Sequence, residues 1–284
     1  MNTFRFSHCP YCRQDRMTFV GVLGYRDRVK FGSLMIELAE APELFRCNGC
    51  GTLMTMNAIP PEEALDLYRR SSSGERWTTE KFGNIADRST LQALSGALMP
   101  GKRVLDIGSG ASDFLTFARD RGCRTFAFEP SRESAEIQRE RGHEIVASLD
   151  GPAAAFDLIT LFDVVEHLYD PRAMFASLRR LLAQGGRIAV LTGAPQSLPA
   201  RFTGAKWWYV QYPEHVCVPT LKALRHLPGL AVIKKVATFA KAGYRLPVRE
   251  AWSIARNRYR AGEYDGLPSV VSDHQLVFLK EVNA

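Results

Sequence analysis

The feature that most constrains this chain is a glycine-rich turn that follows a short apolar segment. Residues 104–112 read Val-Leu-Asp-Ile-Gly-Ser-Gly-Ala-Ser, and a helical stretch follows from Phe114 to Arg121. The next apolar segment, 125–129, ends in Glu129, which gives an acid about 20 residues after the turn begins. In such an arrangement the glycines let the backbone approach a ligand, and the acid accepts hydrogen bonds from ribose hydroxyls. The sequence therefore predicts a strand–turn–helix unit that binds a nucleotide-like ligand.

Details of the turn point away from a dinucleotide. That ligand class needs three glycines in a Gly-x-Gly-x-x-Gly pattern, whereas this turn has Gly108 and Gly110, preceded by Asp106. The order acid-x-Gly-x-Gly resembles the first motif of class I S-adenosylmethionine (SAM) methyltransferases, although Ser112 stands where that family often has a third glycine. The resemblance implies that both glycines face the methionine part of SAM and that Glu129 holds its ribose. It also implies that Asp106 orders the turn or reaches the sulfonium end through water.

A second segment supports the same family. Residues 156–168 read Phe-Asp-Leu-Ile-Thr-Leu-Phe-Asp-Val-Val-Glu-His-Leu. They resemble the fourth strand of these methyltransferases and the turn after it, which commonly carries an acid-x-x-Glu-His-Leu pattern. The resemblance implies that Phe162 and Asp163 lie beside the sulfur end of SAM. Glu166 and His167 then begin the cap over the substrate, where we expect a structural role for Glu166 and a substrate contact for His167.

Four of the six cysteines form two Cys-x-x-Cys pairs, Cys9/Cys12 and Cys47/Cys50. Two thiolates at this spacing can point at one metal ion, and two such pairs complete a closed tetrahedral Zn²⁺ site of the structural kind. Zinc would also stabilise a segment of about 57 residues, which is too short to bury a good core unaided. Residues 13–46 are rich in strand formers and predict a ribbon with a long hairpin. A redox dithiol or an iron–sulfur cluster is the alternative use of these thiols.

From residue 103 onward, strand-forming and helix-forming segments alternate, which predicts an α/β fold with a doubly wound parallel sheet. The predicted strands are 103–108, 124–129, 144–147, 156–162, 186–192, 230–238 and 274–282, and the predicted helices are 113–121, 132–141, 171–183 and 219–227. The resemblance implies that the last strand enters antiparallel. We therefore expect a zinc-ribbon-like domain over 1–57, a helical linker or cap over 58–100 and a Rossmann-like class I methyltransferase domain over 101–284.

The stretch 192–218 after the fifth strand is rich in prolines and aromatic residues, so we expect a lid loop rather than a helix. It includes Tyr212-Pro-Glu214-His215, in which His215 is the candidate general base, because the unperturbed pKa of a histidine lies near working pH. Glu214 would orient His215 or act as the base itself. Tyr212 would hold the substrate oxygen, and Trp208 is a further candidate for substrate binding.

The Tyr-x-Glu-His element resembles one in sugar C-methyltransferases, which add a methyl group next to a ketone in nucleotide-linked deoxysugars. Those enzymes also have an N-terminal cysteine-rich zinc domain, which agrees with the two cysteine pairs. They carry in addition a C-terminal domain that has no counterpart in this sequence. The resemblance implies a saccharide or a nucleotide-linked sugar as the substrate.

Composition is ordinary for a globular protein, with 46% hydrophobic and 24% charged residues, but the net charge of +7 is unevenly distributed. Residues 221–260 hold ten Lys or Arg against one acid. Such a segment suggests an anionic small-molecule substrate, would serve RNA equally well, or is simply a solvated basic face. No apolar run approaches the ~20 residues that span a bilayer, and the N-terminus lacks a secretory signal, so we expect a cytoplasmic protein.

The leading hypothesis is a SAM-dependent methyltransferase that transfers a methyl group, with base assistance, to carbon or oxygen of a small anionic substrate. One alternative is a zinc-ribbon RNA methyltransferase in which the basic segment binds phosphates. The Asn/Asp-Pro-Pro-aromatic motif that would support methylation of a base amino group is not found. Another alternative is a catalytically inactive, methyltransferase-like binding module, for which Ser112 is the only indication.

Overall fold

The structure is a computed structural model, and it describes residues 3–25, 27–71, 86, 88–151, 155–238 and 271–282. The N-terminal part contains an antiparallel arrangement of β1 (Met17–Val22), β4 (Glu43–Cys47) and β5 (Leu53–Met56). Between β1 and β4 the chain forms a hairpin of β2 (Arg28–Phe31) and β3 (Leu34–Glu37). The strand-forming residues between the cysteine pairs thus form a ribbon with a hairpin, as predicted.

Two helices follow the ribbon: α1 (Pro61–Arg70) and α2 (Arg88–Ser95). A proline stands in the first turn of α1, where a missing N–H costs no helical hydrogen bond. Glu62 and Glu63 also lie in this first turn and Arg69 and Arg70 in the last, which complements the helix dipole.

The central sheet has seven strands. They are β6 (Arg103–Ile107), β7 (Arg124–Phe128), β8 (Glu144–Ile145), β9 (Phe156–Phe162), β10 (Leu182–Gly193), β12 (Leu230–Thr238) and β13 (His274–Glu281). Their order across the sheet is β12-β13-β10-β9-β6-β7-β8. The five strands β6 to β10 pair parallel in this sheet, whereas β13 is antiparallel to both β10 and β12. The doubly wound sheet with an antiparallel last strand is therefore confirmed.

The helices of this part are shorter than predicted. They are α3 (Phe114–Arg119), α4 (Arg132–Glu140), α5 (Pro171–Leu181) and α7 (Leu221–Leu224). Three of them begin at side-chain caps: Ser131 accepts a hydrogen bond from Ser134 N, Asp170 accepts one from Ala173 N, and Thr220 accepts one from Ala223 N. None of the helices in the described part of the chain has both the length and the apolar character that crossing a bilayer requires.

The expectation of a purely irregular lid over 192–218 is wrong. Residues Leu198–Thr203 form helix α6, and Gly204–Lys206 form a 3₁₀ turn. Ser197 caps α6 and a proline stands in its first turn, so here a proline begins a helix instead of excluding one. The lid then ends in β11 (Cys217–Val218).

Strand β11 joins the two parts of the molecule. It pairs antiparallel with β5, so that Cys217 lies opposite Met54 and Val218 opposite Leu53. The N-terminal sheet therefore has the order β1-β4-β5-β11, and its last strand comes from the lid of the second part. The boundaries predicted near residues 57 and 100 stay predictions, but this pairing fixes the lid to the ribbon.

Candidate active site

The glycine-rich turn lies between β6 and α3, at the carboxyl end of β6, where open α/β sheets bind ligands. Gly108 has φ +64° and Gly110 has φ +53°, which is backbone that favours glycine. A Cβ on Gly108 would lie 2.8 Å from Cγ2 of Val164, so a side chain there would collide with the turn after β9. Both predicted glycines thus have a structural requirement, and they leave the backbone of the turn accessible.

Glu129, just after β7, connects its own strand end to this turn. One carboxylate oxygen accepts a hydrogen bond from Gly110 N at 2.8 Å, and the other accepts one from Ser131 N at 2.8 Å. Burial raises the pKa of this carboxyl, and the two backbone N–H groups oppose that rise. The predicted ribose-binding acid therefore lies at the turn, within one hydrogen bond of its second glycine.

Asp106, the acid before the glycines, is buried in the sheet with 3% of its surface exposed. Its Oδ1 accepts a hydrogen bond from Thr160 Oγ1 of β9 at 2.6 Å. Burial raises the pKa of Asp106 to about 7, although the Thr160 hydrogen bond acts to lower it. This position agrees with a role in ordering the turn.

Phe162 and Asp163 lie at the carboxyl end of β9, at the same sheet edge as the turn. The Phe162 ring packs edge-on against Phe114 at 4.8 Å between centroids. Asp163 has φ +51°, and its Oδ1 accepts a hydrogen bond from the Tyr209 hydroxyl at 2.8 Å. The residues predicted for the two ends of the cofactor are thus brought to one edge.

In the lid, His215 is buried beside a second carboxylate, that of Glu166. Its Nδ1 lies 2.6 Å from the Tyr209 carbonyl oxygen, which can only accept, so Nδ1 carries a proton. In the neutral ring the lone pair is then on Nε2, which lies 3.9 Å from Glu166 Oε1. This geometry presents the nitrogen that a general base needs and places an acid where it can stabilise the protonated ring.

Glu166 is fully buried and is held by two hydroxyl groups. Thr192 Oγ1 donates to Oε2 at 2.9 Å, and the Tyr209 hydroxyl donates to Oε1. Burial and the negative charge of Asp163 raise the pKa of Glu166, while His167 and Tyr209 act to lower it. Glu166 is expected from the sequence to be structural, and the structure places it in direct reach of His215.

Tyr212 and Glu214 are both buried and both contact the N-terminal ribbon. The Tyr212 hydroxyl donates to Asn57 O at 3.2 Å, and Glu214 Oε1 accepts a hydrogen bond from Gly32 N at 2.8 Å. Their predicted roles, as substrate holder and as partner of His215, stay predictions. These contacts show instead that the ribbon supports the lid at both residues.

His167 lies in the 3₁₀ turn Val165–His167, and its ring packs edge-on against that of His215 at 4.8 Å. Its Nδ1 is 2.9 Å from Glu214 O and 2.8 Å from the Tyr68 hydroxyl, and its Nε2 is 3.0 Å from Asp163 O. Ligand atoms of Glu166, His167 and His215 lie within 4.8 Å of one another, as a metal site requires. The carbonyl groups that face the His167 nitrogens favour N–H donation there over metal ligation.

Comparison with known proteins agrees with this geometry. The family described as "Methyltransferase domain" matches residues 82–228, which is more than half of the chain. The chain belongs to this methyltransferase family. Its sheet, with an antiparallel last strand, is the Rossmann-like methyltransferase fold that the sequence predicted.

Curated relatives match this methyltransferase over part of its length. The ubiquinone biosynthesis O-methyltransferase of Aromatoleum aromaticum is 29% identical over 151 residues, which cover 48% of this chain and 63% of the relative. The protein-L-isoaspartate O-methyltransferase of Methylorubrum populi is 32% identical over 103 residues, which cover 35% of this chain and 49% of the relative. This chain thus spans less than two thirds of the length of these relatives.

A solved structure resembles nearly the whole methyltransferase in fold. It is the 1,6-didemethyltoxoflavin-N1-methyltransferase of Burkholderia thailandensis, bound to 1,6-didemethyltoxoflavin and S-adenosylhomocysteine. The TM-score is 0.53 at 13% identity, over 90% of this chain and 100% of that one. At this identity the likeness concerns the fold alone.

The four cysteines of the two predicted pairs converge on one point. Cys9 Sγ is 3.5 Å from Cys50 Sγ, Cys12 Sγ is 3.4 Å from Cys47 Sγ, and all four sulfurs lie within 4.8 Å of one another. A tetrahedron with Zn–S bonds of about 2.3 Å needs sulfurs about 3.8 Å apart. The donor set and its spacing therefore suit a structural zinc ion.

Sequence reasoning missed the side chains that hold the glycine-rich turn from α4. Gln138 is fully buried, and its Nε2 donates to Gly110 O and Ser112 O, each at 2.9 Å. Arg141, which follows α4, donates to Ala111 O and Ser112 O at 2.9 and 2.8 Å. The sequence places Gln138 on a predicted amphipathic helix, but no sequence pattern indicates that its amide contacts the turn.

Of the basic segment 221–260, only the part up to residue 238 lies within the described residues. Lys222, Arg225, Lys234 and Lys235 are exposed there, and the Lys234 ammonium lies 5.8 Å from the centre of the Phe278 ring. The other six basic residues, from Lys241 to Arg260, lie outside the described residues. Binding of an anionic substrate by this segment stays a prediction.

Proposed function

We propose that this protein is a SAM-dependent methyltransferase that transfers a methyl group to oxygen or carbon of a small acceptor. The observation that carries the proposal is the joint placement of the Gly108–Gly110 turn and Glu129 at the carboxyl edge of the sheet. Family membership, found over residues 82–228, supports the same conclusion. The relatives named as O-methyltransferases make oxygen a reasonable acceptor atom. The Tyr-x-Glu-His element, which resembles one in sugar C-methyltransferases, makes carbon the other candidate.

SAM would bring an activated methyl group and its own leaving group, so the protein has to bind, align and manage a proton. The glycine turn would receive the methionine end, and Glu129 would accept hydrogen bonds from ribose hydroxyls. Phe162 and Asp163, at the end of β9, would border the sulfur end. Gln138 does not need to touch the ligand, since it donates to the turn itself. Asp106, held by Thr160 of β9, would order the strand end before the turn or reach the sulfonium end through water.

His215 would remove the acceptor proton. Its Nε2 carries the lone pair in the neutral ring, because Nδ1 donates to Tyr209 O. Once protonated, the ring would be stabilised by Glu166, whose Oε1 lies 3.9 Å away. The geometry thus favours Glu166 as the partner acid of His215, while Glu214 accepts a hydrogen bond from Gly32 N of the ribbon.

For the acceptor we propose a saccharide or a nucleotide-linked sugar, as the Tyr-x-Glu-His resemblance and the basic segment suggest. The ubiquinone biosynthesis relatives favour a second candidate, a hydroxylated aromatic ring. Both classes carry hydroxyl groups, and a buried histidine could accept the hydroxyl proton as the methyl–oxygen bond forms. A zinc ion on the four cysteines would be structural, because a four-sulfur shell leaves no open position for a substrate.

Cofactor binding is the first test. In calorimetry, S-adenosylhomocysteine should bind the wild-type chain, and Glu129→Ala should weaken binding by ~1–3 kcal/mol through lost hydrogen bonds to a charged group. Glu133→Ala is the matched control, since Glu133 lies on the exposed first turn of α4. An unchanged dissociation constant for Glu129→Ala would remove the site assignment.

Acceptor class is the second test. The holoenzyme would be incubated with methyl-labelled SAM and a panel of nucleotide hexoses, free hexoses and catechols. Label transferred to a sugar supports the first acceptor class, and label transferred to a catechol supports the second. Transfer to RNA alone, in a reaction that weakens steeply with salt, would contradict both.

A further inference from the structure

A second buried histidine lies at the ligand-binding edge of the sheet, although it is far from every motif in the sequence. His274 is the first residue of β13, which runs antiparallel, so its start lies where the parallel strands end. It pairs with Gly193 at the end of β10 and with Thr238 at the end of β12. The edge at which open α/β sheets bind ligands therefore includes His274.

The neighbouring residue, Asp273, determines which nitrogen of the His274 ring carries the proton. Nδ1 lies 2.8 Å from Asp273 Oδ1, while Asp273 Oδ2 accepts hydrogen bonds from Trp207 Nε1 at 3.0 Å and Trp208 Nε1 at 2.6 Å. Burial acts to raise the pKa of Asp273, but His274 and the two indole groups hold it below its ordinary value. An ionised Asp273 only accepts hydrogen bonds, so Nδ1 carries the proton and Nε2 the lone pair of the neutral ring.

Nε2 of His274 is buried and has no hydrogen-bond partner among the residues that the structure describes. The residue as a whole is 1% exposed. A buried acceptor without a partner costs free energy, so such a group in a folded protein calls for a ligand or an ordered water. The Asp273 pairing shows that the ring is held in one orientation rather than packed as a plain apolar group.

Aromatic rings connect His274 to the candidate base. Trp208 stacks on the His274 ring at 5.5 Å between centroids, and Tyr209 meets its edge at 4.7 Å. Tyr209 also packs at 4.7 Å against His215, and its hydroxyl donates to Asp163. His274 and His215 therefore contact the same tyrosine ring.

Gly193 makes this arrangement possible. A Cβ there would collide with Cδ1 of Tyr209 and would lie 2.8 Å from Cη2 of Trp207. Any other residue at the end of β10 would displace the Tyr209 ring, which contacts both histidines. The sequence places a glycine at the position of β10 that pairs with His274.

We propose that His274 binds the methyl acceptor, with Nε2 accepting a hydrogen bond from a second hydroxyl next to the one that is methylated. The inference rests on the proposed function and adds the chemical class of the acceptor, which is a vicinal diol. A sugar ring and a catechol both supply such a diol. In this arrangement His215 deprotonates one hydroxyl while His274, whose proton on Nδ1 faces Asp273, holds the neighbouring hydroxyl through Nε2.

Nuclear magnetic resonance of the full chain labelled with ¹⁵N-histidine tests the contact directly. Saturation with S-adenosylhomocysteine comes first, followed by UDP-glucose in one arm and catechol in the other. We expect one of the diols to move the His274 Nε2 resonance, while His143, which is held by Thr125 on β7, stays unchanged. If S-adenosylhomocysteine binds but neither diol moves that resonance, the inference fails and the methyltransferase proposal stands. If S-adenosylhomocysteine does not bind, the proposed function fails first.

Two variants sharpen the test. His274→Asn keeps an N–H donor for Asp273 but removes the Nε2 acceptor, so the dissociation constant of the responding diol should rise at least tenfold. His274→Gln places a polar group near the Nε2 position and should stay within threefold of wild type. Equal weakening by both variants, at unchanged affinity for S-adenosylhomocysteine, would mean that the ring only supports packing and would overturn the inference.

Discussion

The cofactor half and the acceptor half of the site are built in different ways. Most of the cofactor half comes from one stretch of chain: the turn after β6 and the acid after β7 are joined by the hydrogen bond from Gly110 N to Glu129, 19 residues apart. Phe162 and Asp163 at the end of β9 complete it. The acceptor half depends on pairs far apart in sequence, such as Tyr68 with His167 and Gly32 with Glu214, at separations of 99 and 182 residues. The cofactor half is thus held mainly by contacts between residues close in sequence, whereas the acceptor half depends on contacts with the ribbon.

The largest expected effect comes from removing the four-sulfur cluster. The double variant Cys9→Ser/Cys50→Ser should lose bound zinc and reduce turnover by ~100-fold or more, because metal ligation stabilises the ribbon that holds the lid. Affinity for S-adenosylhomocysteine should change little, because the cofactor half does not contact the cluster. Zinc content, turnover and calorimetry would be measured together.

Cys123→Ser is the control, since Cys123 is a buried cysteine outside the cluster that contacts Met99 O at 3.3 Å. Full turnover in the zinc-free double variant would show that the acceptor half stands without the ribbon. The contrast between the two halves would then be wrong.

The next largest effect separates chemistry from cofactor binding. His215→Ala should lower kcat by roughly 10²–10⁴-fold, as loss of a general base does, and should leave the affinity for S-adenosylhomocysteine within a few-fold. His226→Ala is the control, since His226 is exposed at the end of α7. Turnover that survives in His215→Ala, or a collapse of cofactor affinity instead, would remove the assigned role.

An effect of pH on stability probes the cofactor half without any ligand. The folded-state pKa of Asp106, about 7, lies above the ordinary value of 3.8, so the folded protein binds more protons between these values. Its free energy of unfolding should therefore fall as pH rises through this window, by at most ~4 kcal/mol from this one group.

Urea unfolding at several pH values measures that slope. Asp106→Asn should flatten it, and Asp120→Asn, at an exposed position after α3, should leave it as it is. The same slope in wild type and in Asp106→Asn would mean that the buried carboxyl does not take up a proton in this window.

The smallest expected effect concerns how the turn is held. Gln138→Leu removes the two N–H donations to the turn and should weaken binding of S-adenosylhomocysteine by ~1 kcal/mol, or about fivefold. The KM for the acceptor should not change, because the Gln138 amide donates to the turn of the cofactor half. Gln92→Leu, at an exposed position of α2, is the control. A change in acceptor KM without a change in cofactor affinity would show that Gln138 supports the acceptor half and not the cofactor half.

Strands of the cofactor half could be predicted from the sequence more accurately than the helices near the acceptor half. Strands β6, β7 and β9 were predicted within one residue, because buried parallel strands appear as continuous apolar runs. The predicted helix over 219–227 shortens to Leu221–Leu224, since helix ends depend on caps and tertiary contacts. The sequence does not predict helix α6, because its prolines argue against a helix, yet one of them stands in the first turn of α6.

Among the site residues, the cysteine pairs and the glycine turn could be recognised because short spacings place their atoms together. The partner of His215 could not be assigned in this way. Glu214 is adjacent in sequence, yet Glu166, which lies on the turn after β9, has its carboxylate 3.9 Å from the imidazole. His274 carried no motif, and only the antiparallel entry of β13 places it at the edge.

The sequence by itself determined the order of strands and helices, the cofactor turn with its acid, and the two thiol pairs. Those features rest on backbone sterics and on spacings of a few residues, which any fold of this order must respect. Only the tertiary structure decided which carboxylate faces which histidine, that the lid completes the ribbon sheet, and that a strand start reaches the ligand edge. Such contacts depend on how buried faces pack across the whole chain, and no local pattern encodes them.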